Sequence, residues 1–437
     1  MQTQFSAAQL KDPQIAEADK ILRSCVHCGF CTATCPTFVI TGDERDSPRG
    51  RIWMLREVLE KPESVSVNTS FHIDRCLGCL SCTTTCPSGV DYPHLLDIGR
   101  EKLEKLVPRR FGDKMMRRML AQTIPYAGRF RIMMQLARFA RLFDWAFPAQ
   151  MRAALKKIPA KIPAFDKVGS RTEAFTTIVA PMPRQGEAVI KRVVLLAGCA
   201  QRALDPEINA STIRLLNRLG VEVVVRTEAQ CCGALAHHIG ESNAADDMVR
   251  ATVCAWHEEI SANGVDAIVT NASGCGTMVK DYGHMMKDNL ELAKIAKIVA
   301  SKTMDVSQLI ARLDLEAALV ALPQGTLPRI AYHSACSLQH GQKIHDLPIR
   351  LLEQAGFEVV QPRNGHLCCG SAGVYNILQP EMAEQLRSRK LETLDQTGAV
   401  YVAAGNIGCI AQLDRETMPV RHVVQFLDWA TGGPRPF

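Results

Sequence analysis

Sixteen of the seventeen cysteines in this chain fall into ordered groups, and that pattern restricts the fold more than any other feature. Eight lie before residue 90, at Cys25, Cys28, Cys31, Cys35 and at Cys76, Cys79, Cys82, Cys86. Four come next (Cys199, Cys231, Cys232, Cys275), then four more (Cys336, Cys368, Cys369, Cys409). The remaining Cys254 sits in the helix-like run ATVCAWHEEI and reads as a small buried hydrophobe. The opening MQTQFSAAQLKDPQIAEADK lacks the basic start and apolar core of a secretory signal. A cysteine-rich chain of this kind is expected in a reducing, cytoplasmic compartment, its thiols serving metal ligation rather than a disulfide framework.

Both N-terminal groups follow one pattern. CVHCGFCTATCP and CLGCLSCTTTCP are each C-x2-C-x2-C-x3-C-P. Three thiolates two residues apart wrap a loop around one face of a cluster, and the proline after the fourth turns the chain away. In two-cluster ferredoxins that fourth cysteine ligates the other cluster. The expected sets are Cys25, Cys28, Cys31 with Cys86, and Cys76, Cys79, Cys82 with Cys35, each holding a 4Fe–4S cluster. Tetrahedral zinc in a structural scaffold is the competing reading, and two complete proline-ended copies weigh against it. Forty residues separate Cys35 from Cys76. Their run SPRGRIWMLREVLE, with Ile52, Leu55, Val58 and Leu59 on one side, reads as a helix, and YPHLLDIGREKLEKL as another.

The C-terminal half repeats itself. Cys199 to Cys231 and Cys336 to Cys368 each enclose 31 residues, each copy continues with Cys-Cys-Gly, and each closes on a glycine-flanked cysteine. A β run precedes the first cysteine of each copy (RVVLLAGC, RIAYHSAC), and a helix leads into a second β run. Strand–helix–strand alternation predicts two α/β units with mostly parallel sheets, whose cysteines lie at the carboxyl edge where such sheets place their sites. What Cys199, Cys231, Cys232, Cys275 and Cys336, Cys368, Cys369, Cys409 bind stays open: a further cluster, zinc or a dithiol redox centre. His237, His238 and His333 lie nearby in sequence and read as solvated or satisfied histidines. The fold class is therefore multidomain α+β. A helical two-cluster module spans 1–108, a basic helical segment and linker 109–190, and the cysteine-rich α/β units 191–325 and 326–437.

Charge concentrates in one place. The whole chain carries +6, from 51 basic and 45 acidic residues, too mild to argue for nucleic acid. Aromatics at 5% leave few platforms for stacking bases. Residues 109–157, however, hold twelve Lys or Arg against Asp113 and Asp144. Ile132, Leu136, Phe139 and Phe143 share a helical face there, with Arg131, Arg138 and Arg141 towards the other side, and six methionines fall in the segment. Such a helix docks on an anionic membrane surface or a partner, or else packs on its own domains. The Pro-rich KKIPAKIPAFDK follows as a linker. No segment reads as a membrane span.

The order of parts resembles the glycolate oxidase iron–sulfur subunit family over nearly the whole chain. The marks are CVHCGFCTATCPTF, GDERDSPRGRI and RCLGCLSCTTTCPSGVDY leading into LLDIGR. The resemblance implies an electron-transfer subunit of a flavin-dependent glycolate (2-hydroxy acid) dehydrogenase. The partner subunit carries FAD, and the acceptor is quinone-type, with peripheral contact at the cytoplasmic face of the inner membrane. The layout is also similar to the iron–sulfur subunit of anaerobic glycerol-3-phosphate dehydrogenase and the catalytic subunit of heterodisulfide reductase. These imply the alternative that the Cys-Cys-Gly units perform the terminal reduction. The heterodisulfide reductase version ends in C-x2-C; here Met278 and Gln412 replace its last cysteine. With no G-x-G-x-x-G after a strand, no phosphate loop and no Ser-His-Asp set, no residue of this chain is assigned a catalytic role.

Overall fold

The computed structural model describes all residues except 147–151, 153, 154, 156–158, 160, 161, 165–167, 169, 170, 177, 178 and 323–326. Most of the expected linker at 156–167, Met151, Lys156, Lys157 and the 325/326 boundary thus lie outside the described residues.

The first hundred residues are helical. Helix Pro13–Ser24 starts where the Asp12 carboxylate accepts from the Gln14 amide, with Pro13 in the first turn. Helix Pro48–Glu60 starts the same way on Ser47, whose hydroxyl accepts from the Gly50 amide. Its predicted face, Ile52, Leu55, Val58 and Leu59, is buried. Helix Tyr92–Leu106 crosses it at Gly99, where a methyl group would lie 2.1 Å from Leu55. Leu22, Leu55, Ile73 and Leu95 are fully buried at the centre of this module.

Two sheets follow. Strands β1 (Glu173–Phe175), β2 (Arg192–Leu196), β3 (Glu222–Val225), β4 (Ala267–Thr270) and β5 (Thr303–Asp305) form the first, in the order β1-β3-β2-β4-β5. β1 is antiparallel to β3, and every other pairing is parallel. It joins the sheet from within the segment read as basic helix and linker. The second sheet, β6 (Arg329–His333), β7 (Glu358–Val360), β8 (Tyr401–Ala404) and β9 (Val420–His422), is all parallel, in the order β7-β6-β8-β9. Matching β2 with β6, β3 with β7, β4 with β8 and β5 with β9, the two orders are the same. Even the exits match: Asp305 and His422 each close a capping box with the glutamine three residues on, Gln308 and Gln425.

The units face each other through their cysteine-bearing loops. The Ser273 amide donates to the Gly405 carbonyl at 3.1 Å, and the Ser273 and Ser337 hydroxyls lie 2.7 Å apart. Farther out, Arg214 and Arg218 of the first unit both bond the fully buried Asp428 of the second. One apolar core runs through both sheets.

The basic segment divides its faces. Helices Phe111–Thr123 and Ala127–Ala140 pack Leu120, Ala121, Phe130 and Met134 against Ala203, Ile239 and Val374 of the α/β units. Ile132, Leu136, Phe139 and Phe143 instead point outward, with Leu136 and Phe139 each 66% exposed. The segment therefore packs on its own domains through one face and leaves the face of Ile132, Leu136 and Phe139 exposed.

Candidate functional site

Each N-terminal loop wraps by two left-handed residues. In the first they are His27 (φ 59°) and Gly29 (φ 86°), and in the second Gly78 (φ 61°) and Leu80 (φ 63°). The positions after the first cysteine are the same, with glycine and a bulky residue exchanged. Holding a non-glycine residue there costs energy and is typical of a ligand-binding loop. The loops gather the sulfurs across the chain. Cys25, Cys28, Cys31 and Cys86 line one small cavity. Burial, then Cys25, Cys86 and Cys28, push the Cys31 thiol up to about 11. Around the other loop, burial followed by Cys76, Cys35 and Cys31 pushes Cys82 well up. The fourth cysteine of each motif thus faces the other motif's loop, and Cys31 and Cys82 bring the two sets together.

The second set has a built electrostatic wall that the sequence did not reveal. Arg51 is 1% exposed, directs Nη1 at Cys35 Sγ (3.9 Å) and donates to the His72 carbonyl. Asp46, fully buried, receives His72 Nδ1 at 2.9 Å and Arg75 at 2.7 Å, with Arg51 at 3.5 Å. Burial alone would raise the Cys76 thiol, but Arg51, Arg100 and the Tyr92 hydroxyl (3.5 Å) hold it below its usual range. Thiolate, the form that binds iron, is favoured here.

In the α/β units all eight cysteines follow strand ends, at the carboxyl edges. Cys199 and Cys231 Sγ lie 3.6 Å apart, and Cys336 and Cys368 Sγ 3.8 Å, far longer than the roughly 2.05 Å of a disulfide. Bonds with Cys199 and Cys232, then burial, push Cys231 well up, while bonds from Cys231 and Cys275 pull Cys232 well down. Cys369 contacts both Cys368 and Cys409. Four sulfurs therefore form one run in each copy. Gly233 (φ 82°) and Gly370 (φ 85°) make the Cys-Cys-Gly turn, returning their amides to Cys231 and Cys368 Sγ at 3.5 Å. A methyl group on Gly370 would sit 2.6 Å from the Ala383 carbonyl oxygen, so only glycine fits. Clustered, buried, unbridged thiols are a donor set suited to iron or zinc.

The sets adjoin. Burial, then Cys336, Cys82 and Cys35, push the Cys79 thiol well up, and Leu77, Cys79, Cys336 and Cys368 share one apolar cluster. All eight cysteines of the repeat line a single cavity of about 1620 Å³ between the units. Its other walls include Met116, Leu120, Ile124, Phe130, Met133 and Met134 of the basic segment.

Two of the three histidines match expectation, and one departs from it. His237 is satisfied by Asp97 at 3.1 Å, and His238, at the cavity wall, is exposed. Among the described residues nothing hydrogen-bonds either ring nitrogen of His333, which is 1% exposed, so it is neither solvated nor satisfied. Cys254 is exposed on helix Ser242–Asn263, not buried.

Comparison with known proteins agrees with this arrangement. Residues 24–90 match the 4Fe-4S dicluster domain family, and 193–280 and 330–414 the cysteine-rich domain family. The glycolate oxidase iron-sulfur subunit of Escherichia coli (strain K12) is 39% identical over 98% of this chain and 99% of its own. The chain belongs to the glycolate oxidase iron–sulfur subunit family. A probable glycolate oxidase iron-sulfur subunit of Bacillus subtilis (strain 168) is 29% identical over 90% of this chain and 88% of its own. Lactate utilization protein A of Geobacillus thermodenitrificans (strain NG80-2) is 27% identical over 54% of this chain and 98% of its own.

Membership of this family makes the chain an iron–sulfur, electron-transferring subunit of an oxidoreductase, with a partner catalytic subunit. In fold it is similar to a hypothetical protein from Helicobacter pylori (TM-score 0.52, 10% identity, 97% of this chain and 73% of that one). Among the described residues no helix is long and apolar enough to cross a membrane.

Proposed function

We propose that this chain receives electrons from FAD on a partner 2-hydroxy acid dehydrogenase subunit that oxidises glycolate, and delivers them to a quinone-type acceptor at a membrane surface. The observation that carries this is the unbroken succession of cysteine sets, through Cys31 and Cys82, then Cys79 and Cys336, into a cavity walled by apolar side chains. Iron–sulfur clusters held by these thiolates supply one-electron chemistry, their potentials tuned by charge and exposure.

The chain's own residues do the rest. Cys25, Cys28, Cys31, Cys86 and Cys76, Cys79, Cys82, Cys35 hold the two 4Fe–4S clusters, while Arg51 keeps positive charge beside the second set. Cys199, Cys231, Cys232, Cys275 and Cys336, Cys368, Cys369, Cys409 hold further centres facing the cavity. Reducing a quinone to a quinol consumes two electrons and two protons. Asp205 lines the same cavity, and burial lifts its carboxyl to about 6, so it can hold and release a proton near neutrality. Ligand pockets commonly span about 300–1,000 Å³, and this cavity, which the further centres would share, is larger.

Anaerobic co-purification with the flavoprotein it captures, followed by glycolate-dependent reduction of a short-chain quinone, tests the reading. Reduction of a disulfide in place of the quinone would favour the heterodisulfide-reductase-like alternative and overturn this one.

A further inference from the structure

The two cysteine-rich units are near-copies, so a difference between them at the metal edge is informative. Their first strands end three residues before the first cysteine, at Leu196 in β2 and His333 in β6. The register agrees: Leu196 lies opposite Thr270 and His333 opposite Ala404, each five residues before the last cysteine of its copy. Leu196 is 2% exposed and needs no partner. His333 is 1% exposed, and among the described residues neither of its ring nitrogens has one. A buried polar group without a hydrogen bond is rare in a folded protein and points to something that satisfies it.

The surroundings say what that is. A ring nitrogen of His333 and the Sγ atoms of Cys369 and Cys409 all lie within 4.8 Å of one another. All three residues are buried, and two of them already belong to the four-sulfur run of this unit. We propose that His333 is a nitrogen ligand to the iron–sulfur centre of the second cysteine-rich unit, so that the two units carry chemically different centres. This rests on the reading that Cys336, Cys368, Cys369 and Cys409 hold iron.

The helix behind the second unit differs in the same sense. Lys390, 3% exposed, donates to the Asn364 carbonyl at 3.1 Å beside the second set. The corresponding turn of the first unit carries the neutral Thr252, whose hydroxyl donates to the Cys231 carbonyl at 3.4 Å. A buried ammonium beside the second set, where the first unit has a neutral hydroxyl, makes the second centre easier to reduce. In iron–sulfur proteins, exchanging cysteine for histidine raises the potential. The second unit is also the one whose Cys336 adjoins Cys79, so the easier electron sink stands next to the ferredoxin module.

The test uses the full-length protein purified anaerobically, with its histidines labelled with 15N, and pulsed EPR of its paramagnetic centres. The expected result is a directly bonded histidine nitrogen coupling in the wild type, and its loss in His333→Leu with the eight irons of the N-terminal module retained. Leucine already fills this place in the first unit, so the variant is compatible with the fold. His333→Cys should keep the centre and shift its midpoint potential downward. An iron–sulfur signal from the second unit without histidine coupling in the labelled wild type overturns the ligand alone. Iron confined to the N-terminal module overturns the underlying reading together with it. The wild-type spectrum decides between these outcomes even if a variant fails to fold.

Discussion

The Tyr375 hydroxyl donates to the Arg75 carbonyl at 3.1 Å, one residue before Cys76. A single bond thus ties the second cysteine-rich unit to the start of the second ferredoxin loop. Thr84 supports the same junction from the loop's other end, its hydroxyl lying 2.8 Å from His340 Nδ1. Spacing between adjacent redox sites is in this way set by side chains rather than by a linker.

Tyr375→Phe should therefore leave the iron content unchanged but loosen the loop. A neutral hydrogen bond contributes about 0.5–1.5 kcal/mol, too little for its loss to unfold the module. Faster amide exchange in the peptide covering residues 75–82 is the expected readout. Unchanged exchange there would show that the Thr84–His340 bond and apolar packing around Leu77 hold the junction without it.

The crossed ligand sets proposed above would make the N-terminal module one folding unit. Anaerobically purified protein should carry about eight irons there, from two 4Fe–4S clusters. Cys28→Ser should remove one cluster and destabilise the other, because Cys31 and Cys35 are supplied by the same short loop to opposite sets. Iron analysis and the visible absorption band measure both effects. A colourless protein with stoichiometric zinc would falsify the cluster assignment.

A pH-sensitive clamp joins the ferredoxin module to the first α/β unit. His94 of helix Tyr92–Leu106 bonds Asp91 at 2.7 Å and Asp281 at 3.0 Å, and stacks on His284 at 3.6 Å. Glu17 and Lys287 complete the charged surroundings. Burial by itself would lower the His94 pKa, but bonds to Asp281 and Asp91 outweigh it and raise the value to about 10. Since the folded value exceeds the unfolded one, the stabilisation is fully present below about 6.5 and lost as pH rises through about 10. The stability difference between wild type and His94→Gln should shrink steadily across that interval in denaturant titrations. A difference independent of pH would mean His94 acts only through packing and stacking.

Much of this was legible in the sequence, for a physical reason. Ligand spacing within a loop is local, so C-x2-C-x2-C-x3-C-P identifies its sulfurs without any fold. The repeat was equally plain, because two β runs with Cys-Cys-Gly at one interval recur. What escaped notice depends on long-range pairing. Asp46 meets His72 and Arg75 across 26 and 29 residues, and no periodicity encodes that meeting. His333 was read as an ordinary histidine, although aligning the copies sets it against Leu196, the one signal able to single it out. The short strand Glu173–Phe175 was missed because three residues amid Pro- and Gly-rich chain give too little alternation. The burial of Cys254 was misread because apolar neighbours in sequence do not fix which way a helix turns.

The outward apolar face of the basic segment leads to the last prediction. Ile132, Leu136 and Phe139 stand exposed on one helix, and Phe111, Met115 and Met119, four residues apart, on the helix before it. So much exposed apolar surface in one place marks a contact with something else. Arg109 and Arg117 turn inward to Asp74, so this face's basic character comes from Arg118, Arg129, Arg138 and their neighbours rather than from every arginine of the segment. Each Lys or Arg near an anionic surface adds on the order of 1 kcal/mol, and the attraction decays within a Debye length. Wild-type protein should therefore sediment with anionic liposomes at low salt and less so at high salt. Leu136→Asp with Phe139→Asp should abolish sedimentation while leaving iron content intact, since both side chains are 66% exposed and support no core. The helix's inner face lines the cavity through Met133, Met134 and Ala137, and Leu136 and Met119 of the exposed face also reach its lining, so a membrane at the outer face would lie at the cavity's edge. If the double variant instead loses the flavoprotein and keeps the liposomes, the face is a partner dock, and the acceptor must reach the cavity by another route.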